Sequence, residues 1–337
     1  MIKFLTYVVL LAGMAAFGYG VYRAAGLLKA DGTHVVRPSS TTAPALPGTM
    51  YIAQDGALYR FRDGQFKQIT GDEGWTQPAV SPDGHQLVAV KRTGDYSDLY
   101  LLGTDGSVQL QLTHHRSSQV ESNHWSFYPR FTPDSQWIVY SYDAKNPYET
   151  YRVDLAIFAI SVDGQKVKQW TTPNPYTGGD VEPLLLTTGA MVYTKFSIDD
   201  KSQVHAQIWV AASPASPGVA LTQPEENCSS PAVSADSSQI VMICRHDQTQ
   251  STDVVVAPLD TTAYRIGSET TLVHGQLDAS PVFSPDGKTI AFLAPVAAGG
   301  TFQLWTVPVT ASSTTSNAKP LTTNVGLDST GPPAWVR

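Results

Sequence analysis

The sequence predicts an all-β fold, a six-bladed β-propeller, with one transmembrane helix ahead of it at the N-terminus. The main observation is a set of four short signals that recurs six times in the same order along the chain. Composition agrees, because charged residues make up only 15% of the 337 residues and Ser, Thr, Gln, Gly and Pro fill their place, as in proteins made of strands and turns. The third observation is an uncharged stretch near the N-terminus that is long enough to cross a bilayer.

A proline three residues ahead of a Ser-Pro-Asp-Gly turn is the first repeated signal. It occurs as PAVSPDG from Pro78, PRFTPDS from Pro129, PAVSADS from Pro231 and PVFSPDG from Pro281, with a weaker copy at Pro183 and a truncated one at Pro333. Successive prolines are separated by 51, 54, 48, 50 and 52 residues. Asp can accept a hydrogen bond from the backbone two residues on and Gly tolerates positive φ, so this turn joins two antiparallel strands tightly.

Three further signals follow each turn: a short apolar strand, a strand with a large residue at its second position, and an apolar residue followed by Thr. The large residues are Tyr59, Tyr100, Phe158, Trp209, Val255 and Trp305. The closing residues are Thr70, Thr113, Thr171, Thr222 and Thr322, with Val273 as the variant. Six copies of four strands predict four-stranded blades, which bury both of their apolar faces only when they are packed in a closed ring.

The two ends of the repeat region predict how the ring closes. The region opens with only three strands, at residues 50–53, 57–61 and 66–70, and it ends with a lone strand at residues 334–336. We therefore expect the C-terminal strand to complete the first blade, so that one blade is built from both ends of the region.

The repeat resembles that of TolB-like, or WD-repeat-like, β-propellers. That family's pattern is a Pro-x-Phe-Ser-Pro-Asp-Gly turn, an Ile-Ala-Phe strand, a Leu-Tyr strand and a Leu-Thr ending, and PVFSPDGKTIAF from Pro281 is close to it throughout. The resemblance covers residues 48–337 and implies a six-bladed propeller. It departs from the family's namesake, which carries an additional α/β domain ahead of its propeller, so membership of the Tol system is not implied.

The N-terminal segment predicts a membrane anchor. Residues 4–22 carry no charge, and nineteen helical residues at about 1.5 Å each span roughly 28 Å, close to the hydrocarbon thickness of a bilayer. A cleaved signal peptide is the alternative, but it usually has a shorter apolar run, and the candidate cleavage site at Ala15 and Ala16 lies inside this one. We expect residues 1–28 to form an uncleaved, single-pass anchor.

The segment between the anchor and the propeller predicts a flexible tether. Residues 29–47 are rich in Ser, Thr, Ala and Pro and show neither strand nor helix periodicity. The alternative is a loop packed on the domain. Because a basic start followed by an apolar run resembles an export signal, we expect the propeller on the extracytoplasmic side, in the periplasm or at the cell surface, although the positive charges on the two sides of the anchor balance.

Two long loops predict an interaction surface at the edge of the third blade. Residues 114–128 lead into this blade and residues 142–153 lie within it, and both mix aromatic with polar groups, as protein interfaces and carbohydrate sites do. The alternative is that the loops carry no function. The candidate contact residues are Trp75, His114, His115, His124, Trp125, Phe127, Tyr128, Tyr142, Tyr148 and Tyr151.

The histidines in the loop ahead of the third blade are candidate metal ligands. Imidazoles bind divalent metals, and Glu121 could join His114, His115 and His124. However, adjacent residues on extended chain point in opposite directions. We therefore favour solvated histidines, and expect no metal and no other cofactor.

Three carboxylates are placed for the mouth of the channel. Asp180 and Asp278 each precede an anchor proline by three residues, and Asp328 lies nearby in the last copy. They could ring the mouth and hold a cation, or they could cap backbone amides at strand ends. The second use is the commoner one and is what we expect.

The two cysteines predict a disulfide. Cys228 and Cys244 lie eight residues before and eight residues after Asp236, which marks the turn of one hairpin, so they face each other or nearly so. In an oxidising compartment the pair would form a local bridge. The alternative is two buried free thiols.

Several function classes find no support in the sequence. It contains no G-x-S-x-G elbow, no P-loop and no dinucleotide fingerprint, and no basic run that would bind nucleic acid follows the N-terminus. We expect no peptidase domain after the propeller, which excludes the arrangement of prolyl oligopeptidases.

The leading hypothesis is a non-enzymatic, membrane-anchored propeller that serves as a scaffold and docks on another membrane or envelope protein. The alternative is a propeller that binds a glycan or small ligand at the channel mouth, on the loops between blades. In its enzymatic form this alternative is a metal-assisted, polysaccharide-lyase-like propeller, which would need a metal centre with histidine ligands.

Overall fold

The computed structural model describes residues 43–145, 154–214, 216–245, 251–310 and 317–337. Within these ranges, 25 strands form six antiparallel sheets, each built from strands that follow one another along the chain apart from the first. This arrangement confirms the six-bladed propeller. A short 3-10 turn at Val120–Ser122 precedes the third blade, and another at Pro224–Glu226 precedes the fifth.

The blades are numbered in chain order. The first blade contains β1 (Thr49–Gln54), β2 (Ala57–Arg62), β3 (Gln65–Gln68) and β25 (Ala334–Val336). The second contains β4 (Trp75–Val80), β5 (Gln86–Arg92), β6 (Ser97–Gly103) and β7 (Val108–Gln111). The third contains β8 (Ser126–Phe131), β9 (Trp137–Asp143), β10 (Leu155–Ser161) and β11 (Val167–Gln169).

The remaining blades follow the same plan. The fourth contains β12 (Asp180–Leu185), β13 (Met191–Ile198), β14 (Val204–Ala211) and β15 (Gly218–Ala220). The fifth contains β16 (Ser229–Val233), β17 (Gln239–Cys244), β18 (Thr252–Asp260), β19 (Arg265–Ile266) and β20 (Thr270–Gln276). The sixth contains β21 (Ala279–Phe283), β22 (Thr289–Pro295), β23 (Phe302–Pro308) and β24 (Lys319–Pro320).

The first blade is completed by the C-terminal strand, as the repeat predicts. Strand β25 pairs with β1 in antiparallel register, with Trp335 opposite Met50 and Ala334 opposite Tyr51. The indole N–H of Trp335 also donates to the carbonyl of Pro47 at 2.8 Å. The ring is therefore closed by hydrogen bonds between strands from the two ends of the repeat region.

Six apolar clusters hold the blades together, and each lies between two neighbouring blades. The cluster between the third and fourth blades, for example, contains Ile157, Met191 and Tyr193, and the one between the fourth and fifth contains Val192 and Met242. The alternating residues of a strand thus serve the two faces of its blade. This is the packing that a closed ring provides and that an isolated blade cannot.

Hydrogen bonds within the turn explain why its spacing is repeated from blade to blade. In the second blade, Gly84 donates its N–H to the carbonyl of Ser81 at 2.8 Å, and His85 donates its N–H to Asp83 Oδ1 at 3.0 Å. The Ser81 hydroxyl also donates to Asp83, and these bonds hold the pKa of that exposed carboxyl below its usual value. The same pattern occurs at Asp134, Asp236 and Asp286.

The closing threonine extends the outer strand pairing by one hydrogen bond. In the second blade, Leu112 donates its N–H to the carbonyl of Leu99 at 2.8 Å, and Leu99 donates its own N–H to the Thr113 hydroxyl at 2.9 Å. The equivalent pairs are Leu58 with Thr70, Ile157 with Thr171, Ile208 with Thr222 and Leu304 with Thr322. In the fifth blade Val273 pairs directly with Val254 in a longer outer strand.

The predicted membrane anchor and most of the predicted tether lie outside the described residues. In the part of the chain that the structure covers, no helix has the length and apolar character needed to cross a bilayer. The last residues of the tether do lie against the propeller: Ala43 donates its N–H to the carbonyl of Gly64 at 2.9 Å, and Leu46 packs on the cluster between the sixth and first blades.

Candidate functional site

The innermost strand of each blade lines the central channel; it is β25 in the first blade and the first strand in chain order in the others, and these five carry a bulge. The bulge lies beside the anchor proline, as the register shift between Thr76 and Ala79 shows for β4. Immediately before the proline stands a non-glycine residue with φ between 50° and 56° in all five strands: Gln77, Tyr128, Glu182, Ser230 and Ser280. Residues other than glycine rarely adopt this backbone conformation. Such strain is found mainly at functional sites and at positions that the surrounding structure holds firmly in place.

Side chains at four of these five positions, all but Tyr128, link neighbouring blades. Gln77 accepts the N–H of Tyr128 at 2.7 Å and donates to the carbonyl of Thr330 at 2.9 Å. Glu182 accepts the N–H of Ser230 at 2.7 Å and its hydroxyl at 2.9 Å. The strained backbone is therefore held by hydrogen bonds between neighbouring blades around the channel. This ring was not predicted from the sequence, because the residues that precede the five prolines differ in type and only their backbone conformation is shared.

A cavity of about 320 Å³ occupies the channel at the end where a turn joins the two innermost strands of the second to sixth blades. All six blades contribute to its wall, which includes Ala79, Phe131, Leu184, Val233, Val282 and Trp335. Arg130 is the one charged residue among the described residues that line the cavity. The cavity lies at the end of the channel opposite to the loops on which the sequence analysis expects ligands.

A stacked pair of aromatic rings marks the loop side of the third blade. The rings of Trp125 and Phe127 are 5.9 Å apart between centroids and nearly parallel, at 8°, and the guanidinium carbon of Arg92 lies 5.5 Å from the Trp125 ring. Both rings are half-exposed. The ring of Tyr128 lies 6.1 Å from Phe127 and continues from this pair into the channel, where burial raises the pKa of its hydroxyl.

Trp75 does not belong to this exposed surface, which corrects its placement there. It is 3% exposed, and its ring lies edge-on to Tyr100 at 5.2 Å with Lys91 above it at 5.1 Å. Strand β4 turns this side chain into the core between the first two blades. The two other aromatic candidates, Tyr148 and Tyr151, lie outside the described residues.

The candidate histidines separate into an exposed one and a packed pair. His114 is exposed, whereas His115 and His124 pack on Tyr142 with ring centroids 5.0 Å and 5.3 Å away. Each of the pair has a backbone partner at Nδ1: the carbonyl of Ser97 at 2.9 Å for His115 and the carbonyl of Asp143 at 2.7 Å for His124. Burial lowers the pKa of His115, which favours the neutral form of this ring.

These groups do not form a metal site or a catalytic triad. No cluster of three His, Cys, Asp or Glu side chains suited to a metal ion occurs among the described residues. Ser126 and Asp98 do approach His115, at 3.3 Å and 3.4 Å, but both face the same nitrogen, Nδ1. A triad needs the nucleophile on one ring nitrogen and the carboxylate on the other.

The three carboxylates predicted for the channel mouth have different surroundings. Asp180 forms an ion pair with Lys195 at 2.9 Å, and Asp328 accepts the N–H of Thr330 at 2.9 Å. Asp278 is 3% exposed, and neither of its carboxyl oxygens has a hydrogen-bond partner among the described residues. Burial, with a further contribution from the charge of Asp253, raises the pKa of Asp278 to about 8.

The two cysteines are bonded to each other. Cys228 and Cys244 are both fully buried, with their sulfurs 2.06 Å apart. The bridge joins β17 to the segment just ahead of β16, next to the pairing of Ser229 with Ile243. It therefore staples the inner hairpin of the fifth blade at its loop end.

No protein-family model and no curated protein matches this sequence. Solved structures do match its fold. TolB from Acinetobacter baumannii aligns with a TM-score of 0.59 at 18% identity, over 82% of this chain and 66% of that one. A putative TolB from Agrobacterium tumefaciens aligns with a TM-score of 0.59 at 16% identity, over 84% and 91%. An oligogalacturonate lyase from Vibrio parahaemolyticus aligns with a TM-score of 0.53 at 12% identity, over 86% and 78%.

These similarities show the fold, which is that of a TolB-like propeller. The chain spans about two thirds of the Acinetobacter protein, so the whole length of that protein is not represented here. The lyase shares the architecture at still lower identity, and the same blades therefore serve both enzymes and other proteins.

Proposed function

We propose that this TolB-like propeller is a non-enzymatic docking module, which is held at a membrane by its N-terminal apolar segment and binds a protein of the membrane or envelope. The stacked pair of Trp125 and Phe127 carries the proposal. Tryptophan, tyrosine and arginine contribute most of the binding energy at protein interfaces, because they combine a large apolar area with hydrogen-bonding or charged groups. Here two aromatic rings and the Arg92 guanidinium form one surface.

The two rings of this surface are stacked on backbone that is paired with the neighbouring strand. Trp125 and Phe127 are two residues apart at the start of β8, so their side chains lie on the same face of extended chain. The carbonyl of Trp125 accepts the N–H of Asp143 at 2.9 Å, which joins it to β9. Side chains that are already ordered lose less conformational entropy on binding, which favours affinity.

Two features support a location outside the cytoplasm. The bridge between Cys228 and Cys244 is of the kind that forms in oxidising compartments. The uncharged residues 4–22 have the length of a single membrane span. Together they favour a propeller that is tethered to the outer side of a membrane, where its partner would be another membrane or envelope protein.

The docking surface is tested by cross-linking in native membranes. The full chain with W125A and F127A is compared with wild type, after both are shown to unfold at the same temperature. The matched control is W137A: Trp137 is half-exposed at the other end of the same blade and has Lys168 4.6 Å from its ring, as Trp125 has Arg92. We expect the partner's cross-link to disappear in W125A/F127A and to remain in W137A. Equal cross-linking in all three proteins would rule out this surface.

The anchor is tested separately. We expect the full chain to stay in the membrane fraction after extraction with alkaline carbonate. We also expect added protease to cut the propeller in cells whose outer layers have been made permeable and whose cytoplasmic membrane is intact. Release of the protein by carbonate, or protection of the propeller from protease, would contradict the anchored, extracytoplasmic placement.

A further inference from the structure

The cavity in the channel has the form of a small binding site. Its volume of about 320 Å³ lies at the lower end of the range of ligand pockets, which runs from about 300 to 1,000 Å³. It reaches solvent between the turns of the blades, where Pro133, Ala235 and Ser237 belong to its lining. A small molecule, or the last residues of a peptide, would fit this space.

Most of the residues that line the cavity are apolar, while polar atoms supply nearly half of its surface. Leu184, Leu186 and Val233 lie on one side of it, and Val282 and Trp335 belong to the next blades around the ring. An apolar ligand would displace water from these surfaces, which favours binding in proportion to the apolar area that is buried.

Arg130 is the exception in this wall, and its charge is not neutralised. Its Nη1 donates to the carbonyl of Pro129 at 3.0 Å, and this is the single hydrogen bond that the guanidinium makes in the described structure. Nor does any carboxylate of the described residues form an ion pair with it. A guanidinium offers five N–H donors, so most of them remain available.

The carboxylate whose charge acts on Arg130 is that of Glu182, but both of its oxygens are engaged elsewhere. They accept the hydroxyl of Thr194 at 2.7 Å and the N–H and hydroxyl of Ser230 at 2.7 Å and 2.9 Å. Glu182 therefore supports Arg130 through its field, not through a contact. Burial lowers the pKa of Arg130 to about 10, and at neutral pH the side chain still carries its full charge.

We propose that the cavity binds an apolar molecule that ends in a carboxylate, and that Arg130 binds this carboxylate. The planar guanidinium matches a carboxylate with two parallel hydrogen bonds, and such charged bonds are stronger in a site that excludes water. The carboxylate belongs either to a small organic acid or to the C-terminus of a peptide. This site is distinct from the surface of Trp125 and Phe127 and does not depend on the docking function.

The test compares an acid with its neutral amide. Hexanoate and hexanamide are titrated into the full chain in a nonionic detergent, and heats of binding are measured by calorimetry. We expect saturable binding of hexanoate and at least about tenfold weaker binding of hexanamide, because the amide cannot form the charged pair. The variant R130Q should bind the two compounds with similar, weak affinity. The comparison of acid with amide in the wild type stands even where R130Q fails to fold.

A second variant places the site. Ala235 is exposed at the opening of the cavity, and A235W should weaken the binding of hexanoate without disturbing the core. N-acetyl-dileucine, as the free acid and as the amide, then distinguishes the two sources. If its acid form binds at least tenfold more tightly than hexanoate, the natural ligand is a peptide C-terminus. If hexanoate binds more tightly, the natural ligand is a small acid. The proposal is overturned where no acid binds saturably, where acid and amide bind equally, or where A235W leaves binding unchanged.

Discussion

Trp335 and Pro47 join the two ends of the propeller: the indole N–H of the first donates to the carbonyl of the second at 2.8 Å. Beside this bond, β25 pairs with β1, and the ring of Trp335 packs in the cluster between the sixth and first blades. A propeller gains much of its stability from closure, because every blade then has two neighbours. This contact is therefore expected to matter more than its single hydrogen bond suggests.

Replacement of Trp335 by Ala tests the closure. The side chain is 7% exposed, and the loss of a buried tryptophan costs about 3–5 kcal/mol. The measurement is urea unfolding followed by circular dichroism. The control is Trp137→Ala at a half-exposed position, for which we expect a loss of about 1 kcal/mol or less. Equal losses in the two variants would show that the ends do not control closure.

Replacement of Thr222 by Val tests the hydroxyl that ends each blade. Val has nearly the same shape, but it leaves the buried N–H of Ile208, now 3.0 Å from the hydroxyl, without an acceptor. We expect a loss of about 1–3 kcal/mol in the free energy of unfolding. Thr262→Val, at an exposed turn position, is the control and should change stability by less than about 0.5 kcal/mol. If Thr222→Val loses no more unfolding free energy than Thr262→Val, the Thr222 hydroxyl does not stabilise the blade through this hydrogen bond.

Replacement of Asp278 by Asn tests the unpartnered buried carboxyl. Its pKa of about 8 in the folded protein exceeds the ordinary value of 3.8, so the folded state binds the proton more tightly than the unfolded state. The resulting stability is fully present below about pH 4 and is lost as the pH rises towards 8. Asn resembles the protonated form of Asp and does not titrate, so D278N should lack this dependence of stability on pH.

The measurement for Asp278 is the difference in unfolding free energy between wild type and D278N at pH 5 and at pH 8. We expect the variant to gain on the order of 3 kcal/mol relative to wild type between these two pH values. D328N is the control, because Asp328 already accepts the N–H of Thr330, and it should show no comparable gain. A constant difference across the pH range would mean that Asp278 is ionised in the folded protein.

Removal of the disulfide tests the staple in the fifth blade. The double variant C228A/C244A opens a loop with a sequence separation of 16, and we expect a loss of about 2–4 kcal/mol. The two sulfurs are fully buried, so mild reductant should act slowly on the native wild-type protein and rapidly once urea opens the blade. The double variant should not respond to reductant. Equal urea midpoints for wild type and variant under oxidising conditions would contradict the expectation.

The fold was predictable because its signals are local and repeated. The turn around Asp83 and the threonine at position 113 each act within one blade, through hydrogen bonds to residues that are near in sequence or on the adjacent strand. Once the six copies were aligned, the length of the region and the incomplete first blade predicted the closure by residues 334–336 as well.

The channel could not be predicted in the same way. The cavity around Arg130 forms where side chains from six blades meet, and no stretch of sequence contains them together. Trp75 is buried because of the face of β4 on which it lies. The bulge at Gln77 shifts the alternation of faces along this strand, so the face cannot be read from the residues that follow it. The lack of a hydrogen-bond partner for the Asp278 carboxyl among the described residues is likewise determined by residues that are distant in sequence. Local patterns predicted the blades, and contacts between blades determine the site.

The bond between Ala43 and Gly64 fixes where the preceding chain meets the ring. Gly64 lies in the turn between β2 and β3, at the same end of the ring as the opening of the cavity, whereas Trp125 and Phe127 lie at the opposite end. A partner that docks on the aromatic pair therefore approaches from the side remote from the tether's attachment. A small acid enters the channel from the near side, so the two kinds of binding need not compete for space.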